Sequence, residues 1–290
     1  MSWKILRILT TNACNYRCLY CHNEGQLSTS SRKDLSFEQF ERVMEKIVGS
    51  DIQEIRFSGG EPLLNKATID MIEWVDKNTD CEVGLATNGS LMTEPIIKRL
   101  AKTRVMVTLH LPATNSQSYL RVTNGDKKNF DKCIAFFDSY GINYSFNSVL
   151  YPATIDNLGA VINYSVACGK RLKLLPYLEK DFKNFSAATM VNLIERFKTF
   201  DGQKARDELN GITWWKFPNG AAIKLLDSPC YESSISKCRA YGEIRLLPNL
   251  ELQTCIFGQS VKLNTLDNLK ELLNELWDKF QACPPKEANE

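Results

Sequence analysis

The stretch Cys14-Asn15-Tyr16-Arg17-Cys18-Leu19-Tyr20-Cys21 puts three thiols into eight residues, separated by gaps of three and then two. Thiolates this close on one loop can reach one metal centre. A structural zinc site wants four ligands and is usually built from two CxxC-like halves. No fourth thiol follows here, and only His22 is adjacent. A cubane iron–sulfur cluster that only carries electrons takes four cysteines. Three leave one iron open to a substrate or cofactor, as the open position of a catalytic zinc site does. The spacing points to a catalytic iron–sulfur centre, with a structural zinc loop as the alternative.

Other chemistry-bearing residues lie further along the chain. Ser58-Gly59-Gly60-Glu61-Pro62 carries two adjacent glycines, which permit close backbone approach to a ligand or simply form a turn. Thr87-Asn88-Gly89 is a second polar turn, and His110 is one of only two histidines. A hydrogen-bonded polar role suits His110 better than that of a catalytic base. Arg7 and Arg56 suit phosphate or carboxylate recognition, and structural ion pairing equally well. A second cysteine group comprises Cys230, Cys238 and Cys255, with Cys283 before Pro284-Pro285. Cys81, Cys133 and Cys168 fall on strand or helix positions and are expected as buried apolar residues.

The elements that must position these residues alternate from the start. WKILRI (3–8) reads as a strand, and a helix follows from Ser36, with Gln39 completing a capping box. Phe37, Phe40, Val43, Met44 and Ile47 give that helix one apolar face. Strands follow at 54–57, 82–86, 104–110, 143–150 and 171–175. Between them, helices are expected over 67–77, from a Thr93 cap to Leu100, over 130–140 and over 156–168, with another from about Ser186. Six strand–helix alternations imply right-handed crossovers and a parallel sheet. The expected fold is α/β, a partial (β/α)6 TIM-like barrel with helices outside, and function in such barrels gathers where strands end. The cysteine loop, SGGEP, TNG and His110 all fall there. After about residue 202 short strands at 214–217, 221–226, 242–247 and 250–254 suggest a small antiparallel extension. A tail helix over 266–280 turns Leu266, Leu269, Leu272, Leu273, Leu276 and Trp277 toward the body. The expected domains are therefore 1–201 and 202–290.

Bulk properties set limits. The 290 residues are 43% hydrophobic and 24% charged, which is ordinary globular composition. A net charge of +2 gives no support for a nucleic-acid or membrane-surface partner. No apolar run approaches the roughly 20 residues that cross a bilayer. The N-terminus lacks a signal-peptide core and reads as a first strand, so a cytoplasmic location is expected. In that compartment ten cysteines argue for metal binding or catalysis rather than a disulfide framework.

With these residues in view, Cys14 to Cys21 resembles the CxxxCxxC motif of the radical S-adenosylmethionine (radical SAM) superfamily. The aromatic Tyr20 before the last cysteine, the later SGGEP and the six βα alternations strengthen the resemblance. It implies a 4Fe–4S cluster on Cys14, Cys18 and Cys21, whose open iron binds SAM. It also implies reductive cleavage to a 5′-deoxyadenosyl radical that abstracts hydrogen from substrate, and a flavodoxin- or ferredoxin-type electron donor. By the same resemblance Gly59, Gly60 and Glu61 meet the SAM amino group. Tyr20, Thr87, Asn88, Thr108 and Leu175 border the cofactor.

The sequence is most similar to the GTP 3′,8-cyclase branch, through ILTTNACNYRCLYCHNEG, IRFSGGEPLL, ATNGSLM, RVTNGDKKNFDKC, FNSVL and KLLP. Arg7 and Arg56 fall where that branch contacts GTP. The departures weigh against GTP. Ser145 stands in place of a substrate-binding lysine. Of an arginine pair only Arg245 has a counterpart, the other place holding Glu243, and the branch's C-terminal GGG is not found. Cys230, Cys238, Cys255 and Cys283 resemble the twitch, or abbreviated SPASM, module that holds an auxiliary 4Fe–4S cluster, although its tight CxxC is missing. The resemblance thus implies an enzyme acting on a small metabolite, nucleotide or otherwise phosphorylated, by C–C bond formation, rearrangement or oxidation. A SPASM-type peptide-modifying maturase is the alternative, disfavoured because few residues precede the first strand. A non-enzymatic zinc or iron–sulfur module would leave SGGEP without a purpose.

Overall fold

The computed structural model describes residues 3–21, 31–177, 191, 194–195, 202–207, 212–226, 235–256 and 258–280. In Ile5-Leu6-Arg7-Ile8-Leu9, successive side chains point to opposite faces. Leu6 and Ile8 are fully buried on one face, while Arg7 lines a cavity on the other. The same alternation organises the sheet, so one face meets helices and the other encloses polar space.

In chain order the elements begin with β1 (Ile5–Leu9), α1 (Phe37–Ile47), β2 (Glu54–Ser58), α2 (Thr68–Asn78), β3 (Glu82–Thr87) and α3 (Glu94–Leu100). They continue with β4 (Met106–His110), α4 (Ser116–Thr123), α5 (Lys127–Tyr140), β5 (Tyr144–Leu150), α6 (Pro152–Ile155), α7 (Leu158–Ala167) and β6 (Arg171–Pro176). Beyond residue 202 come β7 (Gln203–Asp207), β8 (Ile212–Lys216), β9 (Ala222–Leu226), α8 (Ile235–Tyr241), β10 (Glu243–Leu246), β11 (Glu251–Gln253), β12 (Ser260–Lys262) and α9 (Leu269–Lys279).

The capping box at α1 forms as expected: Gln39 N donates to Ser36 Oγ at 3.1 Å and Ser36 N to Gln39 Oε1 at 3.0 Å. The face of α1 buries Phe40, Val43, Met44 and Ile47. Each such side chain contributes about 1.5–3 kcal/mol on burial. Several expectations are corrected. Thr93 precedes α3 but makes no side-chain cap bond. The helix expected over 156–168 is α7, and the short α6 before it was not expected. Helix α5 starts earlier than expected, where Asp126 caps it through Lys128 N. Helix α4 was not expected, because Ser and Thr lower its intrinsic preference; the Asn115 cap and burial of Tyr119 and Val122 offset that. The helix expected from Ser186 lies mostly outside the described residues.

The twelve strands of the described residues join one sheet, in the order β12-β11-β10-β1-β2-β3-β4-β5-β6-β9-β8-β7. Strands β1 to β6 run parallel, giving the expected partial α/β barrel. The extension differs from a separate antiparallel unit. Strand β10 adds parallel to β1, with Arg7 opposite Arg245, and β9 adds parallel to β6. Antiparallel neighbours then extend each edge. The residues after 202 therefore flank the barrel on both sides.

The sheet is strongly curled. Flat, the five steps from β1 to β6 would separate their axes by about 24 Å. Yet Arg7 on β1 and Lys173 on β6 line one cavity of about 580 Å³ and perturb each other electrostatically. Helix α9 closes the outside: Trp3 Nε1 donates to Leu273 O at 2.9 Å, and the Trp3 and Trp277 rings meet edge to face at 4.9 Å. Among the described residues no helix is long and apolar enough to cross a membrane.

Candidate active site

Parallel strands deliver their C-terminal ends to one edge. There β1 runs into the cysteine loop, β2 into Ser58-Gly59-Gly60-Glu61, and β3 into Thr87-Asn88-Gly89. Gly60 N donates to Thr11 O at 3.0 Å and Glu61 N to Ala13 O at 2.8 Å, which ties the second loop to the root of the first. With these N–H groups engaged, Gly59 and Gly60 can offer a ligand carbonyl acceptors, which suit an ammonium group. Gly59 has φ 149°, and a Cβ there would stand 2.4 Å from Thr11 O. Only glycine fits this approach.

Glu61 is buried and faces protein. Its carboxylate accepts from Leu63 N at 3.1 Å, Thr87 Oγ1 at 2.7 Å and Asn88 N at 2.8 Å, joining the second loop to the third. Burial pushes this carboxyl up to about 7, against the pull of those donors. Asn88 Nδ2 donates to Asn15 Oδ1 at 2.9 Å, and Asn15 Nδ2 to Ser90 Oγ at 2.8 Å, which closes the third loop onto the cysteines.

The cysteine loop is braced from the other side by α4. Arg17 N donates to Thr123 O at 2.8 Å and Leu19 N to Val122 O at 3.0 Å. Tyr16 packs against Gly125 so tightly that a Cβ there would lie 2.2 Å from its ring. Burial, then the neighbouring thiols, pushes Cys18 up to about 12; burial, despite a bond from Tyr16 N, takes Cys14 up to about 11. Cys14, Cys18 and Cys21 are free thiols close enough to perturb one another. Among the described residues, however, no three His, Cys, Asp or Glu side chains gather as ligands of one ion would. A cubane spreads its ligands over separate irons, so this donor set fits a cluster better than a single zinc. His22, Cys230 and Cys283 lie outside the described residues.

Behind the loops is the lumen. Arg7, Arg56, Thr108, Ser145 and Leu175 line the cavity, as do Asn147, Lys173 and Lys224. Arg7 grips Glu243 with Nε and Nη2, both at 2.7 Å. Arg56 grips Glu54 with Nε at 2.5 Å and Nη2 at 2.6 Å, while its Nη1 reaches Tyr241 Oη and, at 3.4 Å, Glu243. Burial alone would raise the Glu243 carboxyl, but Arg7 and then Arg56 hold it down to about 2. Of the two readings these arginines allow, ion pairing is the one their contacts show, both gripping carboxylates. Arg245 is buried, and its guanidinium is pushed down to about 9 by burial and by Arg7. Thr108 Oγ1 and Ser145 Oγ lie 3.3 Å apart.

His110 bridges the two regions. Its Nδ1 pairs with Asn147 Oδ1 at 3.0 Å and its Nε2 meets Tyr20 Oη. Burial pushes it down to about 4, so it is neutral and satisfied at neutral pH. Cys238 lies on α8 and Cys255 just after β11, both half-buried beneath the extension. Of the cysteines expected as core, Cys133 is buried, whereas Cys81 and Cys168 are half-buried and Cys81 donates to Ile52 O at 3.3 Å.

The sequence reading passed over Asn15, Ser90, Asn147, Tyr241, Lys173 and Lys224. Lys173 and Lys224 were visible in principle. Each sits in a strand, RLKLLP or AIKLL, that alternates polar with apolar residues, and in a helix-wrapped barrel the polar positions face the lumen.

The radical SAM superfamily model matches residues 8–164, a span that runs from β1 into α7 and holds all three loops. A radical SAM cyclopropyl synthase, TigE of Paramaledivibacter caminithermalis, is 31% identical over 204 residues, covering 62% of this chain and 43% of its own. A probable GTP 3′,8-cyclase of Sulfurisphaera tokodaii is 26% identical, covering 91% of this chain and 85% of its own. Among solved structures, SuiB of Streptococcus suis bound to S-adenosylmethionine superposes with a TM-score of 0.73 at 15% identity, covering 92% of this chain and 66% of its own. SuiB is also solved with its precursor peptide SuiA. The chain thus spans less than half the length of the synthase.

Proposed function

The chain belongs to the radical SAM superfamily, and on that premise we propose that it is a cytoplasmic enzyme that cleaves S-adenosylmethionine and acts on a small metabolite held in the barrel lumen. When bound, a 4Fe–4S cluster and SAM supply a 5′-deoxyadenosyl radical that abstracts a hydrogen atom. In this reading Cys14, Cys18 and Cys21 hold the cluster. Gly59 and Gly60 present carbonyl oxygens to the SAM ammonium group, and Glu61, Thr87 and Asn88 keep those loops in register. Tyr20, Thr108 and Leu175 border the cofactor, while Ser145 lies beside the substrate. Arg7, Arg56 and Glu243 act as the wall that shapes the lumen. A flavodoxin- or ferredoxin-type protein supplies the electron.

The observation that carries the reading is the interlock of the three loops, which gathers the three thiols at the strand ends, while the same strands enclose a cavity of about 580 Å³. That volume suits a small molecule. Anaerobic reconstitution with iron, sulfide and dithionite tests it. Release of 5′-deoxyadenosine from SAM is expected, and its loss in Cys18→Ala. A reconstituted protein that leaves SAM intact sinks the proposal.

The same proposal assigns residues 1–201 to the radical SAM core and 202–290 to an extension holding an auxiliary 4Fe–4S cluster on Cys230, Cys238, Cys255 and Cys283. Iron near about eight per chain indicates two clusters, and about four only one. Peptide modification is the second reading; SuiB, which shares the fold, is solved with its precursor peptide SuiA. Stimulation of SAM cleavage by peptides, and not by phosphorylated metabolites, would select it.

A further inference from the structure

Strand β6 carries Arg171-Leu172-Lys173-Leu174-Leu175 and β9 carries Ala222-Ile223-Lys224-Leu225-Leu226. The alternation sends Leu172, Leu174, Ile223 and Leu225 outward into the core and both lysines inward. Lys173 is the register partner of Lys224 across the parallel pair. Neighbouring strands run about 4.8 Å apart, so two ammonium groups stand side by side in the lumen. Neither makes a hydrogen bond or ion pair among the described residues. Lys224 Nζ rests over the Trp214 ring at 4.8 Å, a contact that leaves its charge uncompensated.

Among the described residues no carboxylate bonds either lysine; Glu54 and Asp207 act on Lys224 only through space, opposed there by Arg56 and Arg171. The groups facing Lys173 are Arg7 on β1, Arg56 and Glu54 on β2, Asn147 on β5, Lys224 on β9 and Glu243 on β10. Both carboxylates are already gripped by the two arginines, so that quartet sums to zero. The lysine pair is left without a directly bonded counter-charge. Burial, then Arg56, Arg7 and Lys224, pushes Lys173 down to about 7, with Glu243 opposing. Lys173 keeps contact with solvent in the lumen although the barrel wall surrounds it. A fold that retains an uncompensated charge pair in a cavity carries a cost that a ligand of opposite charge relieves.

We propose that Lys173 and Lys224 form the anion subsite of the cavity and receive the phosphate monoester of a phosphorylated small-molecule substrate. This rests on the radical SAM reading of the site and replaces Arg7 and Arg56 as the groups that bind the phosphate. A phosphate monoester carries about −1.5 to −2 charges with three acceptor oxygens, which matches two ammonium groups. A carboxylate leaves one charge over, and a triphosphate exceeds what two lysines neutralise. Asn147 completes the subsite: its Oδ1 is taken by His110, which leaves Nδ2 as a donor beside Lys173.

Calorimetric titration of the reconstituted protein with inorganic phosphate, and separately with acetate, tests the subsite. Saturable phosphate binding is expected, weakened at least about tenfold in Lys173→Met and in Lys224→Met, and largely kept in Lys173→Arg. The inference is overturned if the wild-type protein does not bind phosphate. It is equally overturned if both Met variants bind as wild type does, or if acetate binds as tightly as phosphate. SAM cleavage by the wild-type protein is read separately. Phosphate binding without cleavage leaves the subsite standing and removes the proposed function, and cleavage without phosphate binding does the reverse.

Discussion

Lys173 shows what a charged lumen costs the fold. An ordinary lysine titrates near 10.5, and this one is pushed down to about 7. Between those values the unfolded chain binds the extra proton, so stability rises as pH climbs from about 7 to about 10.5. Below that window the folded barrel holds the charge at full cost. Lys173→Met should therefore be more stable than wild type at pH 7 in phosphate-free buffer, with the gap closing by about pH 10.5. Urea unfolding at both pH values checks this, and an equal gap at both would contradict it. Glu243 behaves oppositely. Held at about 2 by Arg7 and Arg56, its contribution is full above its ordinary 4.5 and lost as pH falls toward 2. Glu243→Ala strands Arg7, while Arg56 keeps Glu54, and should cost about 3 kcal/mol at pH 7 by denaturant unfolding, less near pH 3. The sequence made Arg7 and Arg56 visible as cations. The Arg7 pairing was hidden because Glu243 lies 236 residues beyond it, whereas the partner of Arg56, Glu54, lies on the same strand.

At the scale of elements, the site is three turns that hold one another. Gly59 sets their spacing through its contact with Thr11, and the strain of an added Cβ is of order 1–3 kcal/mol. Gly59→Ala should push β1's loop away and lower iron uptake on reconstitution while circular dichroism stays unchanged. Gly49→Ala is the control, since it also has positive φ, 81°, but nothing stands near its Cβ. Equal iron uptake in the two variants would deny Gly59 this role. SGGEP, TNG and the cysteine loop were each legible as motifs at strand ends, because parallel βα units bring such turns to one edge. The hydrogen bonds between them, through Glu61, Asn88 and Asn15, were not. Glu61 in particular serves its neighbours through its side chain, a role that motif spacing does not announce.

Across the whole molecule, the residues after 202 complete the sheet on both edges. Strand β10 covers β1 and β9 covers β6, so the strands after 202 share one sheet with those before it. A chain ending at residue 201 would expose two long parallel edges and the apolar surface under α9, including Trp3. Such a truncation should elute as aggregate in size-exclusion chromatography where the full chain does not. A well-behaved, folded monomer would show that the core stands alone.

By itself the sequence determined the six βα alternations, the three closely spaced thiols, and the turns that flank them. These are local properties, set by side-chain periodicity, turn chemistry and spacing along a few residues. Tertiary structure alone decided where β9 and β10 attach, because strand pairing depends on partners far away in the chain. It also decided which cations grip carboxylates and which, such as Lys173 and Lys224, bond to none among the described residues. Charge compensation is a sum over neighbours in space, and curling the sheet brings together residues that the chain keeps apart.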